Sequence, residues 1–279
     1  MSDRVYPSRQ PKLPEVPALE TWTISSRSRS QLTCKQLIQD LINLIQKTID
    51  LMRTYLTNIL VASMSCTLAL CGHATTKIAT VPFNITKPGK YLLETNLTLS
   101  GTNTAAITVN QSNVLIELNG FTLSTSTSGN TGISVSSSVT NVTIQDGTIA
   151  GFEFAIALQG SQQLVQNVRL FNATDGVFAI NCTSSAIQDC FILGLGGASD
   201  IGVDLASCSN VVVANNYIAQ VGDGCFSSGS TGGNSFIANH IANCTIGLDL
   251  ESGDKYQGNV ATSCSTDFSG GIPVGQENG

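Results

Sequence analysis

The sequence predicts an all-β fold, a solenoid in which short parallel strands stack coil upon coil. Three observations predict it. A short motif recurs between residues 105 and 266, with copies beginning 21 to 26 residues apart, and this period is typical of a coil with three short strands. Each copy contains β-branched runs, which favour strands. Only 11% of the residues are charged, against about 25% in ordinary globular chains, and this disfavours amphipathic helices.

The first 74 residues differ from the repeats in composition. Residues 1–31 hold four of the seven prolines and five of the thirteen basic residues, which predicts a disordered basic arm. Residues 32–74 predict a helical segment, because a capping box at residues 33–36 precedes apolar residues at three- and four-residue spacing. Within it, residues 52–74 form an apolar run that is about long enough to cross a hydrocarbon core.

Three interpretations of residues 52–74 stay open. A basic start, an apolar centre and the small-residue end Gly72-His73-Ala74 are typical of a secretory signal peptide. The same run is also suited to a single membrane anchor with the basic arm on the cytoplasmic side. In the third interpretation it is a helix that covers the open end of the solenoid. The first two predict an exported protein, secreted or held in the cell envelope.

The repeat domain is predicted over residues 83–279, after a linker at 75–82. Residues 82–104 (PFNITKPGKYLLETNLTLSGTNT) contain two extended runs around the turn Lys87–Lys90, which predicts the first coil.

Three columns of residues recur in the coils that follow. A small residue opens each unit, at Ala106, Gly132, Ala155, Gly176, Gly202, Gly224 and Gly247. The next position is apolar, so these residues are predicted to point inward and stack: Ile107, Ile133, Ile156, Val177, Val203, Cys225 and Leu248. A third column predicts sharp turns with left-handed backbone, which Asn and Asp tolerate: Asn119, Asp146, Asn167, Asp189, Asn216, Asn239 and Asn259.

Cysteine and histidine usage predicts neither a metal site nor a cofactor. The chain has no Cys-x-x-Cys motif and only two histidines. Cys182 with Cys208, and Cys244 with Cys264, occupy equivalent positions of neighbouring coils. Each pair is predicted to stack as buried free thiols. The Cα spacing of neighbouring coils is small enough for a disulfide, but the side chains are not expected to be aimed for one.

Charge is distributed unevenly along the chain. Residues 81–279 hold four Lys or Arg residues against fourteen Asp or Glu residues. Nucleic-acid binding needs clustered cations against phosphate, so the repeat domain is predicted not to bind nucleic acid.

The run FNITKPGKYLLETNLTLS, followed by AITVNQSNVLIELNGFTLS, resembles the opening of right-handed parallel β-helix proteins of the pectin-lyase-like superfamily. The resemblance spans about residues 83–266. It implies a right-handed parallel β-helix of about seven to eight coils behind the N-terminal helical segment. Many members of that superfamily act on polysaccharides, and others are surface or adhesion proteins without catalysis. The resemblance also implies that an active groove would lie on the outer face of one parallel sheet.

The candidate site follows from the outward position two residues after each small residue. This position is Thr108, Ser134, Ala157, Phe178, Asp204, Phe226 and Asp249 in successive coils. Four coils thus alternate Phe and Asp, and Asp175 and Asp223 add carboxylates at the same edge. Aromatic rings and carboxylates together favour sugar binding, and Asp can act as acid or base.

The predicted function is therefore an exported or surface-tethered β-helix protein that binds or processes a polysaccharide. If it is an enzyme, a glycan hydrolase is expected. Its catalytic candidates are Asp204, Asp249 and Asp223, and Phe178, Phe226 and Asp175 are its substrate-binding candidates. The alternative is a non-catalytic structural, surface or adhesion protein with the same fold. The few basic residues of the repeats argue against a polyuronate lyase.

Overall fold

A computed structural model describes residues 75–102, 104–229 and 232–275. These residues form a right-handed parallel β-solenoid of about eight turns, built from 23 strands and no helix, so the predicted fold is confirmed. The predicted arm (1–31) and helical segment (32–74, with the apolar run 52–74) lie outside the described residues. Within those residues, no helix is long and apolar enough to cross a membrane.

Three parallel sheets, named here A, B and C, run along the solenoid. In sheet A each strand pairs with the equivalent strand of the next coil. Its strands are β2 (Phe83–Ile85), β5 (Ala105–Val109), β8 (Thr131–Val135), β10 (Phe154–Leu158), β12 (Asp175–Ile180), β15 (Ile201–Ala206), β18 (Asp223–Ser228) and the first parts of β21 (Ile246–Gln257) and β23 (Thr266–Pro273).

Sheets B and C complete each coil. Sheet B contains β1 (Thr76–Ile78), β3 (Gly89–Leu93), β6 (Val114–Glu117), β13 (Ala186–Gln188), β16 (Val212–Ala214) and β19 (Ser235–Ile237). Sheet C contains β4 (Leu97–Leu99), β7 (Thr122–Thr125), β14 (Phe191–Leu193), β17 (Tyr217–Ala219), β20 (His240–Ala242) and β22 (Val260–Thr262). Strands β9 (Val142–Ala150) and β11 (Leu164–Phe171) pass through the corner between B and C, and β21 and β23 also contribute to B.

The solenoid begins earlier than the sequence analysis predicted. Residues 76–78, assigned there to the linker 75–82, form β1 and pair with β3. The first coil likewise holds three strands, β2, β3 and β4, where two extended runs were predicted.

The predicted inward column forms the core of sheet A. Its seven members pair in register from coil to coil, and each is fully buried. Burial of one such side chain contributes roughly 1.5–3 kcal/mol, so the column is a main source of stability.

The small-residue column has a steric reason. A Cβ atom on Gly202 would lie 2.4 Å from the Gly224 carbonyl oxygen and 2.3 Å from Ile218 Cγ2. The glycines at 176, 224 and 247 face the next coil's backbone in the same way. At the coils where this position is glycine, the next coil therefore approaches too closely for a larger side chain, whereas Ala106 and Ala155 hold the position in two earlier coils.

The turn column is confirmed in its first four members and wrong in its last three. Asn119, Asp146, Asn167 and Asp189 have φ between 51° and 63°, as predicted for left-handed turns. In the later coils the positive φ falls one residue earlier, on Asn215, Ala238 and Gly258.

The displaced asparagines instead form a ladder inside the solenoid. Asn216, Asn239 and Asn259 are almost fully buried. Asn216 Nδ2 donates to Asn239 Oδ1 at 3.0 Å, and Asn239 Nδ2 donates to Asn259 Oδ1 at 2.9 Å. Each Nδ2 also donates to a backbone carbonyl. Because a buried amide must be hydrogen-bonded, the ladder explains why these asparagines lie inside the coil, one position after a turn that keeps its register from coil to coil.

Candidate functional site

The predicted Phe/Asp line lies on the outward face of sheet A. Phe178 pairs with Asp204, Asp204 with Phe226, and Phe226 with Asp249. All four side chains are half-buried. The strands therefore place these residues in one row along the solenoid, which we call the central row.

A second row runs beside it, at the start of each strand. Asp175 pairs with Ile201, Ile201 with Asp223, and Asp223 with Ile246. This edge row alternates out of phase with the central row, because the four strands read DGVF (175–178), IGVD (201–204), DGCF (223–226) and IGLD (246–249). Each coil thus presents one carboxylate and one apolar side chain, and their order reverses at every coil.

The reversal brings carboxylates together diagonally. Asp175 is only 8% exposed, and burial raises its pKa to about 7, with the charges of Asp204, Asp200 and Glu153 adding to the rise and a backbone hydrogen bond from Ile201 opposing it. Burial alone raises the pKa of Asp204 to about 6. The Oδ1 atom of Asp204 is inaccessible to solvent and has no hydrogen-bond partner. Both carboxyl groups therefore hold their protons to a higher pH than an ordinary aspartate does.

A second diagonal pair, Asp223 and Asp249, lies two coils further along. Burial raises the pKa of Asp223, and the charge of Asp249 raises it further. No cation of the described residues forms a salt bridge with either pair. The salt bridges among the described residues are Lys77–Glu94 and Lys90–Glu117, both in the first coils.

One phenylalanine of the central row contacts another aromatic ring. Phe178 packs against Phe154 of the preceding coil, with ring centroids 5.2 Å apart and ring planes 36° apart. Phe154 belongs to the edge row, where it pairs with Asp175. The sequence analysis missed it, although it immediately precedes the small residue Ala155, as Asp175 precedes Gly176.

A cavity of about 330 Å³ lies next to this end of the face. Its lining includes Glu153 and Thr174, which directly precede Phe154 and Asp175, and Leu195 from the loop that follows β14. Leu195 is 65% exposed. The candidate site is therefore a shallow, open face with a depression at one edge.

Sheet C carries another row of outward side chains, which was not among the predicted sites. A cavity of about 540 Å³ is lined by Asp146, Asn167 and Arg169, and Asn167 Nδ2 donates to Asp146 Oδ1 at 2.7 Å. In the next coils the row continues with Phe191 and Tyr217, whose rings stack at 4.9 Å and 9°. Since these rings cover each other's faces, they stabilise the sheet. The row could have been predicted in part from the sequence, because Arg169 and Phe191 each lie two residues after a predicted turn residue. Tyr217 lies two residues after Asn215, where the structure places the turn.

No group of three His, Cys, Asp or Glu side chains that could hold a metal ion occurs within residues 75–102, 104–229 and 232–275.

The family comparison agrees with this architecture. The family model described as a right-handed β-helix region matches residues 90–257, which include both carboxylate pairs and more than half of the chain. No curated protein is detectably similar to the chain in sequence.

Proposed function

Because the chain belongs to the right-handed β-helix family, we propose that it binds and hydrolyses an extended, uncharged polysaccharide on the outward face of sheet A. One observation carries the proposal. Two diagonal carboxylate pairs, Asp175 with Asp204 and Asp223 with Asp249, lie among half-buried phenylalanines on four adjacent coils. The predicted exported location is part of the same proposal, because polysaccharides are met mainly outside the cell.

Binding follows from the spacing and chemistry of the face. Coils in a parallel sheet are about 4.8 Å apart, so the Asp/Phe alternation repeats about every 9.6 Å along the solenoid. Pyranose rings in an extended glycan follow one another at a similar interval to the coils. A chain lying along the central row would therefore meet a ring-stacking surface and a hydroxyl acceptor in turn. The uncompensated carboxylates would repel a polyuronate.

Hydrolysis follows from the two different carboxylate environments. Asp204 is half-buried and burial raises its pKa to about 6, so it is the candidate general acid for the leaving-group oxygen. Asp249 is two coils away, about 9–10 Å between backbones, and is the candidate base that activates water. A backbone separation of this size leaves room for the water of an inverting hydrolysis. Asp223 lies diagonally beside Asp249, whose charge adds to the burial that raises the pKa of Asp223.

The test is turnover of neutral polysaccharides, measured as release of reducing ends, with binding measured separately by calorimetry. Asp204→Asn and Asp249→Asn should each lower kcat by about 100-fold or more while binding persists. Phe226→Ala should weaken binding. Its matched control is Phe191→Ala on sheet C, and the matched control for the charge changes is Asp267→Asn, an exposed residue of the last coil.

The outcomes separate the two predicted classes of protein. Unchanged kcat in both aspartate variants would refute the assigned chemistry. Binding without any turnover by the native protein would replace hydrolysis with the non-catalytic alternative, a glycan-binding surface protein. Absence of binding to every neutral glycan would remove the proposed ligand class.

A further inference from the structure

Two cysteines at the C-terminal end of the solenoid face each other across adjacent coils. Cys244 follows Ala242 by two residues and precedes Ile246 by two, and Cys264 lies at the same distance from Thr262 and Thr266. Ala242 pairs with Thr262, and Ile246 pairs with Thr266. The two cysteines are therefore in register, and Ser265 N donates to Cys244 O at 3.3 Å.

The backbones of the two cysteines are close enough for a disulfide, and the stacked side chains would have to rotate toward each other to form it. Adjacent coils are separated by about 4.8 Å, which lies inside the Cα separation of roughly 4.4–6.8 Å found in disulfides. Both residues lie in the corner between sheets C and A, outside the strands, so side-chain rotation does not disturb a ladder of backbone hydrogen bonds. Both are free thiols in the structure.

Solvent access distinguishes this pair from the other cysteines. Cys182 and Cys208 stack in the same way but are both fully buried. Cys190 and Cys225 are buried as well, whereas Cys264 is partly exposed and Cys244 is 6% exposed. Burial, helped by contact with the Cys264 thiol, raises the pKa of Cys244 to about 12. Among the described cysteines, Cys264 is thus the one that an external reagent can reach first.

We propose that Cys244 and Cys264 form a redox-active pair that closes to a disulfide by exchange with a small external disulfide such as oxidised glutathione. The Cys264 thiolate attacks one sulfur of the external disulfide, which forms a mixed disulfide and releases one glutathione thiolate. Cys244, deprotonated as it attacks, then displaces the second glutathione from Cys264. Two protein thiols are oxidised to one disulfide, and one glutathione disulfide is reduced to two thiols.

The new bond would fasten the last described coil to the one before it. Among the described strands, β23 has one neighbour in sheet A, and its residues are exposed or half-buried. In a solenoid each coil is held only by its neighbours, so an end coil opens first. The disulfide therefore acts where local opening is easiest, and it is independent of glycan binding.

The experiment uses the full chain, incubated with oxidised or reduced glutathione, alkylated, and digested for peptide mapping of all nine cysteines. The expected product is a Cys244–Cys264 disulfide, with Cys182 and Cys208 still reduced. Oxidation should raise the melting temperature by about 5 °C, and a reducing agent should reverse the rise. In the Cys244→Ser variant the reaction should stop at glutathionylated Cys264, whereas Cys208→Ser should still form the Cys244–Cys264 bond.

Three results would overturn the proposal. One is a native protein in which Cys264 stays reduced or stays glutathionylated. Another is preferential pairing of Cys264 with a different cysteine. The third is a Cys244–Cys264 disulfide that leaves the melting temperature unchanged, because the bond would then not hold the coil. The mapping of the native protein decides the first two even if a serine variant fails to fold.

Discussion

Removing the buried charge of Asp175 should make the protein more stable at alkaline pH. The pKa of Asp175 is raised to about 7 from 3.8 by burial and then by neighbouring carboxylates. The folded state therefore holds this proton more tightly than the unfolded chain. The associated stability is fully present below about pH 4 and is lost as the pH rises through about 7. The side chain at position 175 cannot ionise in the Asp175→Asn variant, so this variant should not show the same loss of stability between about pH 4 and about pH 7.

The size of the effect follows from the same pKa. A rise from 3.8 to about 7 corresponds at full value to about 4 kcal/mol. The outward face of sheet A adjoins water, and solvent screening reduces the value to about 2 kcal/mol. Asp175→Asn should therefore match the native protein near pH 4 and exceed its free energy of unfolding by about 2 kcal/mol at pH 8.

Chemical denaturation at a series of pH values from 4 to 8 measures this difference directly. Asp267→Asn, which removes one exposed carboxylate from the last coil, is the control for the change in net charge. An Asp175→Asn curve that runs parallel to the native curve over the whole range would falsify the account, because the carboxylate would then ionise at the same cost in both states.

Two further expectations concern the packing of the coils. Gly202→Ala should lower the free energy of unfolding by about 3 kcal/mol, because the added Cβ would lie less than 2.5 Å from the Gly224 carbonyl oxygen and from Ile218 Cγ2. Equilibrium denaturation measures this loss, and a loss below 1 kcal/mol would contradict the expectation. Asn239→Ala should cost about 2–4 kcal/mol, because it removes two donated and two accepted hydrogen bonds from the buried ladder. The exposed Asn110→Ala change is the control, and equal losses in both variants would argue against the ladder.

The core of the fold could be predicted from the sequence because stacking repeats it. Val177 and Val203 recur at the same position after a small residue, and their inward burial is confirmed. Such a column needs only the period of the repeat and the alternation of side chains along a strand. The outward Phe/Asp row was predicted from the same repeat period and the same alternation of side chains.

The asparagine ladder could not be predicted, because two neighbouring residues competed for one turn. At residues 215 and 216 both candidates are asparagine, and at 238 and 239 the turn falls on Ala238. Left-handed backbone costs a residue such as alanine roughly 1–2 kcal/mol. Several buried hydrogen bonds at about 1 kcal/mol each outweigh that cost. Local preference alone would assign the turn to Asn239.

The carboxylate pairs also escaped the sequence analysis. Asp175 and Asp204 are 29 positions apart in the sequence and occupy different rows. Their interaction depends on the diagonal between two paired strands, which requires the register. Asp175 was accordingly predicted as a substrate-binding residue, without the burial and the neighbouring Asp204 charge that raise its pKa to about 7.

The out-of-phase alternation of sheet A restricts how such a protein can change length. Deleting the single coil between Asp204 and Asp249 would set those carboxylates side by side and Ile201 beside Ile246, and like charges placed directly opposite destabilise a sheet. Deleting or duplicating two coils would preserve the alternation of both rows. The pattern of this surface therefore repeats over a double coil, the 45 positions from Asp204 to Asp249, although the backbone repeats over a single coil.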